Sequence, residues 1–172
     1  NAQIAGVMSV EALKGTDQAF REEISKARPH EGQKMVSKNL WKLTRESEII
    51  ASHKNCPKVQ DAYSLRCMPQ VFGAMYDYLN FIRKVVHTEI NSATDNPLVF
   101  GEEVISGGNF HGEPIAIALD LINIMMTKLS SFSERRIARL LDEKLSELPA
   151  FLTKKPGTNS GLMILQYVAV SL

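Results

Sequence analysis

Between residues 115 and 129 the chain carries Ile115, Ile117, Leu119, Leu121, Ile122, Ile124, Met125, Met126 and Leu129, which at helical spacing occupy every side of a helix. A helix without a polar face is covered on all sides, inside a large bundle or at an interface between chains. A chain of 172 residues fits one domain with a sizeable core. It can hardly wrap such a helix alone. A second long helix is expected from Pro69, which suits a first turn because its missing N–H costs nothing there. From it Val71, Phe72, Met75, Tyr78, Leu79, Ile82, Val85, Val86 and Ile90 follow spacings of three and four. With several shorter helices and no credible central strand, the expected class is an all-α bundle of long helices, one helical domain over residues 1–172.

The remaining segments punctuate that bundle. Residues 3–8 read as the tail of a helix begun upstream, Ser9 as the cap of a short helix over 10–14 that Gly15 ends, and Asp17 as the cap of a polar helix to Ala27, stopped by Pro29. Residues 30–45 are amphipathic, with Met35, Val36, Leu40, Leu43 and Trp41 on the apolar side. Residues 46–59, including His53, Asn55 and Pro57, lack a period and read as a loop. Asn91 to Asn96 ends the second long helix, Asn96-Pro97 forces an extended or turn conformation at Asn96, and Leu98-Val99-Phe100 and Val104-Ile105 around Gly101-Glu102-Glu103 suit a short hairpin or an irregular excursion. Ser133-Glu134-Arg135-Arg136 with Arg139 reads as a solvated face or salt-bridge network. Residues 148–152 read as an apolar loop, Pro156-Gly157 as a turn, and Asn159 or Ser160 as the cap of a helix over 162–172.

Gln60, Tyr63 and Arg66 recur every third residue, so on a helix or near-helical turn they leave one side together. Arg supplies a planar fork of donors suited to a carboxylate, Tyr a hydroxyl and Gln an orientable amide. The set suits a small acid; equally, Arg66 can pair with a structural carboxylate while Tyr63 packs half-buried. Further on, Gly107-Gly108 permits backbone angles and approaches that side chains forbid. Asn109-Phe110-His111 then sits before a helix start, where free N–H groups favour negative charge. An ordinary turn is the competing reading.

Lys+Arg 20 against Asp+Glu 19 leaves no net field, which argues against a nucleic-acid partner. Cys56 and Cys67 make no disulfide framework, and no Cys or His spacing fits a zinc site, so no metal and a cytoplasmic location are expected. The apolar run 115–126 is interrupted by Asp120 and Asn123 and reads as too short for a membrane partner; no signal peptide is visible. The first residue is Asn rather than Met, so the chain is expected to derive from something longer.

The string from Gln60 through Tyr63, Ser64, Leu65, Arg66 and Cys67 to Gln70 resembles a signature block of the histidine ammonia-lyases, in the aromatic amino acid ammonia-lyase family. Ser92-Ala93-Thr94-Asp95-Asn96-Pro97-Leu98-Val99-Phe100, Ser106-Gly107-Gly108-Asn109-Phe110-His111-Gly112-Glu113-Pro114, Ser133-Glu134-Arg135-Arg136-Ile137 and Asn159-Ser160-Gly161 agree in order and spacing. The resemblance implies the long-helix bundle of the ammonia-lyase and fumarase-aspartase-like fold, and a 4-methylideneimidazole-5-one electrophile made from an Ala-Ser-Gly tripeptide. It implies that Arg66 grips the substrate carboxylate, that Tyr63 is catalytic at the reacting centre, and that Gln60 hydrogen-bonds nearby. Phe110 would line the pocket, while Asn109, His111 and Glu113 would support it from behind, or, for the last two, simply make structural hydrogen bonds. His111 and Glu113, where phenylalanine ammonia-lyases typically have Gln and Thr, favour histidine.

One departure is plain: Ala51-Ser52 is followed by His53 and Ser106-Gly107 is preceded by Ile105, so the chain contains no Ala-Ser-Gly. It is therefore expected to be the middle piece of such an enzyme, carrying the carboxylate clamp without its own electrophile and inactive alone. The resemblance further implies a homotetramer acting on a small amino acid. Alternatives are a non-enzymatic oligomerisation module, and part of a related aromatic ammonia-lyase or aminomutase; a fumarase-like lyase would need a Gly-Ser-Ser-x-Met-Pro loop that is absent.

Overall fold

A computed structural model describes residues 1–56 and 58–171. The expected loop residue Pro57 and the expected helix end Leu172 lie outside the described residues. Along the chain come α1 (Ala2–Ala12), a 3-10 turn (Gln18–Phe20), α2 (Glu22–Ala27), α3 (Glu31–Thr44), α4 (Glu48–Ala51), α5 (Tyr63–Arg66) and α6 (Met68–Glu89). There follow the antiparallel hairpin β1 (Leu98–Phe100) and β2 (Glu103–Ile105), α7 (Glu113–Leu141), α8 (Glu143–Ser146), a 3-10 turn (Ala150–Leu152) and α9 (Met163–Ser171). The class is the expected all-α bundle.

Its main core gathers Val7, Val10 and Leu13 with Phe20, Val36, Leu40, Leu65, Met68 and Phe72. A smaller one joins Ile82 of α6 to Ala118 and Met125 of α7. Phe72 near the start of α6 meets Phe132 near the end of α7, with ring centroids 6.4 Å apart. The two long helices therefore run antiparallel.

The tightest contact is the crossing of α3 over α6. A Cβ on Gly32 would lie 2.0 Å from Gly73 O, and one on Gly73 would lie 2.5 Å from Gln33 N. Only glycine lets the two backbones come so near. The same crossing ties off α3: Gly32 N, an orphan donor of the first turn, donates to Asp77 Oδ1 of α6 at 2.8 Å.

Several expectations are corrected here. Ser9 is not a cap; α1 runs through it, and its hydroxyl donates to Ala5 O at 2.8 Å. Asp17 begins only the 3-10 turn and makes no side-chain cap bond. Residues 46–59 are not all loop, because Ser47 Oγ accepts from Ile50 N and starts α4. Of the apolar face expected on α3, Val36 and Leu40 are buried whereas Met35 and Leu43 are exposed. The hairpin is real, with Gly101 at φ +64 in its two-residue turn.

The long helices remain partly uncovered, as their composition implies. Tyr78, Leu79 and Val86 of α6, Ile117, Leu119, Ile124 and Met126 of α7, and Ile164, Tyr167, Val168 and Val170 of α9 are exposed. The expectation that the α7 run is too short for a bilayer needs correction: an 18-residue window reaches a mean hydropathy of 1.5, enough by length and composition alone. Its second half nevertheless buries Glu134 and Arg136 against the bundle.

Candidate functional site

Gln60, Tyr63 and Arg66 do converge, but not on one helix. Only Tyr63 to Arg66 is helical, a single turn entered through the extended Ala62. Gln60 lies before it, and its Oε1 accepts from Arg66 Nη1. The Arg66 guanidinium carbon sits 4.8 Å from the Tyr63 ring centroid, a cation–π stack. Leu65 and Met68, both in the core, fix the turn that presents these polar groups.

The alternative reading of Arg66 as a structural ion pair fails, since none of the ion pairs among the described residues includes it. Tyr63 is 70% exposed rather than half-buried. Arg66 Nε is buried without a hydrogen-bond partner, and so is Oε1 of Gln70, one turn along. A buried open donor on an uncompensated guanidinium is what a carboxylate would satisfy.

The turn is held from behind by α7. Arg136, 4% exposed, donates from Nη1 to Ser64 O at 3.4 Å and from Nη2 to Ser133 Oγ at 3.1 Å. Its guanidinium lies 5.8 Å from the Phe72 ring, and burial pushes its pKa below the usual arginine value. Arg136 is thus no part of a solvated face. The salt-bridge reading holds for its neighbours: Arg135 donates to both Glu134 oxygens, and Gln166 of α9 donates to Glu134 Oε1 at 3.1 Å. The Arg135 bond, more than the one from Gln166, lowers the Glu134 pKa against the opposing effect of burial.

Tyr63 borders an open cleft of about 1010 Å³ whose walls include Arg135, Arg139, Gln166 and Phe151. Phe151 and Leu152 both have φ 55, a left-handed conformation uncommon outside glycine.

Phe110, Asn109, His111 and Glu113 lie elsewhere. They precede or begin α7, whereas Arg136 and the clamp stand near its end; 23 residues at about 1.5 Å each separate the two poles by roughly 35 Å. The chain does not bring the two sets together. At this far pole Asn109 Nδ2 donates to Ala93 O at 3.3 Å, and Glu113 N donates to His111 Nδ1 at 3.2 Å, a local cap of α7. Phe110 is exposed. Gly107 and Gly108 have open space around them, so the close approach expected of the pair is not made within this chain.

Two residues of the clamp region escaped the sequence reading. Gln70 stands four residues after Arg66, in the first turn of α6. Arg136 continues the spacing Met125, Leu129, Phe132, a stripe buried at Met125 and half-buried at Leu129 and Phe132 that the neighbouring Arg135 and Arg139 disguise.

Comparison with known proteins gives a consistent result. The family model described as aromatic amino acid lyase matches residues 1–172. A histidine ammonia-lyase of Myxococcus xanthus is 51% identical over 173 residues, covering 99% of this chain and 34% of the relative. The crystal structure of histidine ammonia-lyase from Trypanosoma cruzi superposes with a TM-score of 0.86 at 43% identity, over 99% of this chain and 31% of that one. A tyrosine aminomutase from Streptomyces globisporus gives 0.87 at 38%, over 99% and 36%. The chain spans about a third of the length of the curated relatives it matches.

Proposed function

The chain belongs to the aromatic amino acid lyase family, and from that premise we propose that it serves in the non-oxidative deamination of histidine to urocanate and ammonia, supplying the grip on the substrate carboxylate. The observation that carries this reading is the guanidinium of Arg66, paired with no carboxylate among the described residues and with a buried, unpartnered Nε. Arg66 binds the carboxylate through its fork of donors, Gln60 holds that fork in place, and the exposed Tyr63 hydroxyl reaches the reacting centre.

The 172 residues contain no Ala-Ser-Gly, so the 4-methylideneimidazole-5-one group is not made from them. The residues nevertheless fit its neighbourhood: an open carboxylate donor stands beside an exposed aromatic ring at one pole, and Phe110 is exposed at the other. When bound, that group supplies the electron-poor centre of the reaction. Arg66, Gln60, Tyr63 and Phe110 bind and orient the amino acid.

We infer a homo-oligomer, tetrameric on the family resemblance, and the two-pole geometry supports that reading. Phe110 can meet Arg66 only if a second copy brings its far pole to the clamp, and the exposed apolar residues of α6 and α7 provide the surface for such packing. The free thiols Cys56 and Cys67 suit a cytoplasmic location.

Urocanate formation, followed by its ultraviolet absorbance, tests the reading. The chain alone, at verified mass, is expected to give none, and an assembly that also contains Ala-Ser-Gly is expected to turn over. In that assembly Arg66→Lys keeps the charge, loses the fork and raises KM for histidine tenfold or more, about 1.4 kcal/mol of binding. Turnover by the chain alone, or an unchanged KM in Arg66→Lys, would overturn the assignment. The likeness to a tyrosine aminomutase supports a second reading on the same fold; a β-amino acid in place of an unsaturated acid would establish it.

A further inference from the structure

Among the described residues Arg136 is the only buried arginine, and each of its hydrogen bonds ends on a neutral acceptor. Nη1 donates to Ser64 O at 3.4 Å, and Nη2 donates to Ser133 Oγ at 3.1 Å, whose own hydroxyl donates on to Leu129 O at 3.0 Å. No carboxylate answers the charge. None of the ion pairs among the described residues includes Arg136, and the neighbouring buried Glu134 is taken by Arg135 and Gln166. A buried cation without an anion is costly, and neutral acceptors with the face of Phe72 offset only part of that cost. The turn Tyr63–Arg66 therefore carries one unpaired guanidinium, Arg66, and is hydrogen-bonded to a second. The missing charge is negative.

We propose that Arg136 is a positioning residue for the substrate carboxylate: through Ser64 O it holds the turn that presents Arg66, and its unpaired charge adds to the attraction that the carboxylate meets there. A unit charge roughly 10 Å away, at an effective dielectric of about 20, changes a binding constant on the order of tenfold. Arg139, in the cleft wall beside Tyr63, is only half-buried, so solvent screens it more. Arg136 acts from behind the turn, where water is excluded.

The proposal deepens the carboxylate-clamp reading and rests on it, and its test needs no turnover. Acetate is titrated into the 15N-labelled chain at pH 7 and constant ionic strength, with neutral acetamide as control, while NMR follows the Nε–H signals of Arg66 and Arg136. In wild type both are expected to shift with one acetate midpoint, and neither with acetamide. Arg136→Met should weaken acetate binding about tenfold. Arg136→Lys, which keeps the charge, should stay within about threefold of wild type, and Arg28→Met, the same charge lost at an exposed site, should bind as wild type does. Circular dichroism checks the helicity of each variant. An Arg136 signal indifferent to acetate while Arg66 responds, undiminished affinity in Arg136→Met, or equal losses in Arg136→Met and Arg136→Lys would overturn the proposal and leave the clamp standing. An Arg66 signal that ignores acetate would overturn the clamp, and the proposal with it. The wild-type titration decides even if the variants do not fold.

Discussion

Gly73→Ala gives the sharpest test of the packing described here. The added methyl would lie 2.5 Å from Gln33 N, 2.6 Å from Gln33 Cα and 2.8 Å from Gly32 C, all of them backbone atoms. Ordinary contact needs about 3.5–4.0 Å between carbons, so α3 must retreat by roughly 1 Å. No rotamer change can relieve the clash. Retreat loosens Val36 and Leu40 against Met68 and Phe72, and lengthens the Gly32 to Asp77 hydrogen bond. Overpacking of this kind costs typically 1–3 kcal/mol, and the absence of a side chain to yield puts the crossing at the upper end. Alanine recovers about 1 kcal/mol of helix propensity. The expected net loss is about 2 kcal/mol, or roughly 4–8 °C in Tm for a chain of this size. Thermal and urea unfolding followed at 222 nm would measure it. Gly107→Ala, whose methyl meets nothing within 4 Å, serves as control and should stay within about 0.5 kcal/mol of wild type. A Gly73→Ala chain as stable as wild type would refute the close crossing.

Other substitutions probe separate features. Asp77→Ala removes the cap on Gly32 N and should cost about 1 kcal/mol in the same unfolding assay. Glu134 holds its proton less tightly when folded, so the unfolded chain binds more protons in acid. Its contribution is complete above the ordinary glutamate range and is lost as pH falls through the lowered folded value. Unfolding midpoints measured across that range should therefore fall less steeply in Glu134→Gln than in wild type. Ile124→Glu, at a position 60% exposed, should leave monomer stability within about 0.5 kcal/mol but weaken self-association in sedimentation velocity. A well-behaved wild-type monomer that binds no apolar dye would count against the oligomer.

Much of the bundle was legible because its signals are local. Pro69 does stand in the first turn of α6, and the hairpin formed where Gly101 allowed it. What the sequence concealed depends on neighbours. Met35 and Leu43 share the periodicity of Val36 and Leu40 but are left exposed, because the core lies along one stripe of α3. Gln60 belongs with Tyr63 and Arg66, yet a hydrogen bond rather than a shared helix brings it there. Arg136 looked like its charged neighbours, and only the fold shows that it faces Phe72 and Ser64. The spread of the candidate residues over both ends of α7 was invisible in motifs that lie close together along the chain.

That spread bears on inheritance as well as chemistry. With the clamp at one end of a long helix and Phe110 at the other, each reaction centre of the proposed assembly is jointly owned. A chain lacking Arg66 function and a chain lacking Phe110 function would each be dead in pure form. Mixed at equal amounts in one assembly, they would rebuild about one centre in four, because each centre draws its two halves from different copies. Two defective alleles would then complement one another, whereas two lesions at the same pole would not.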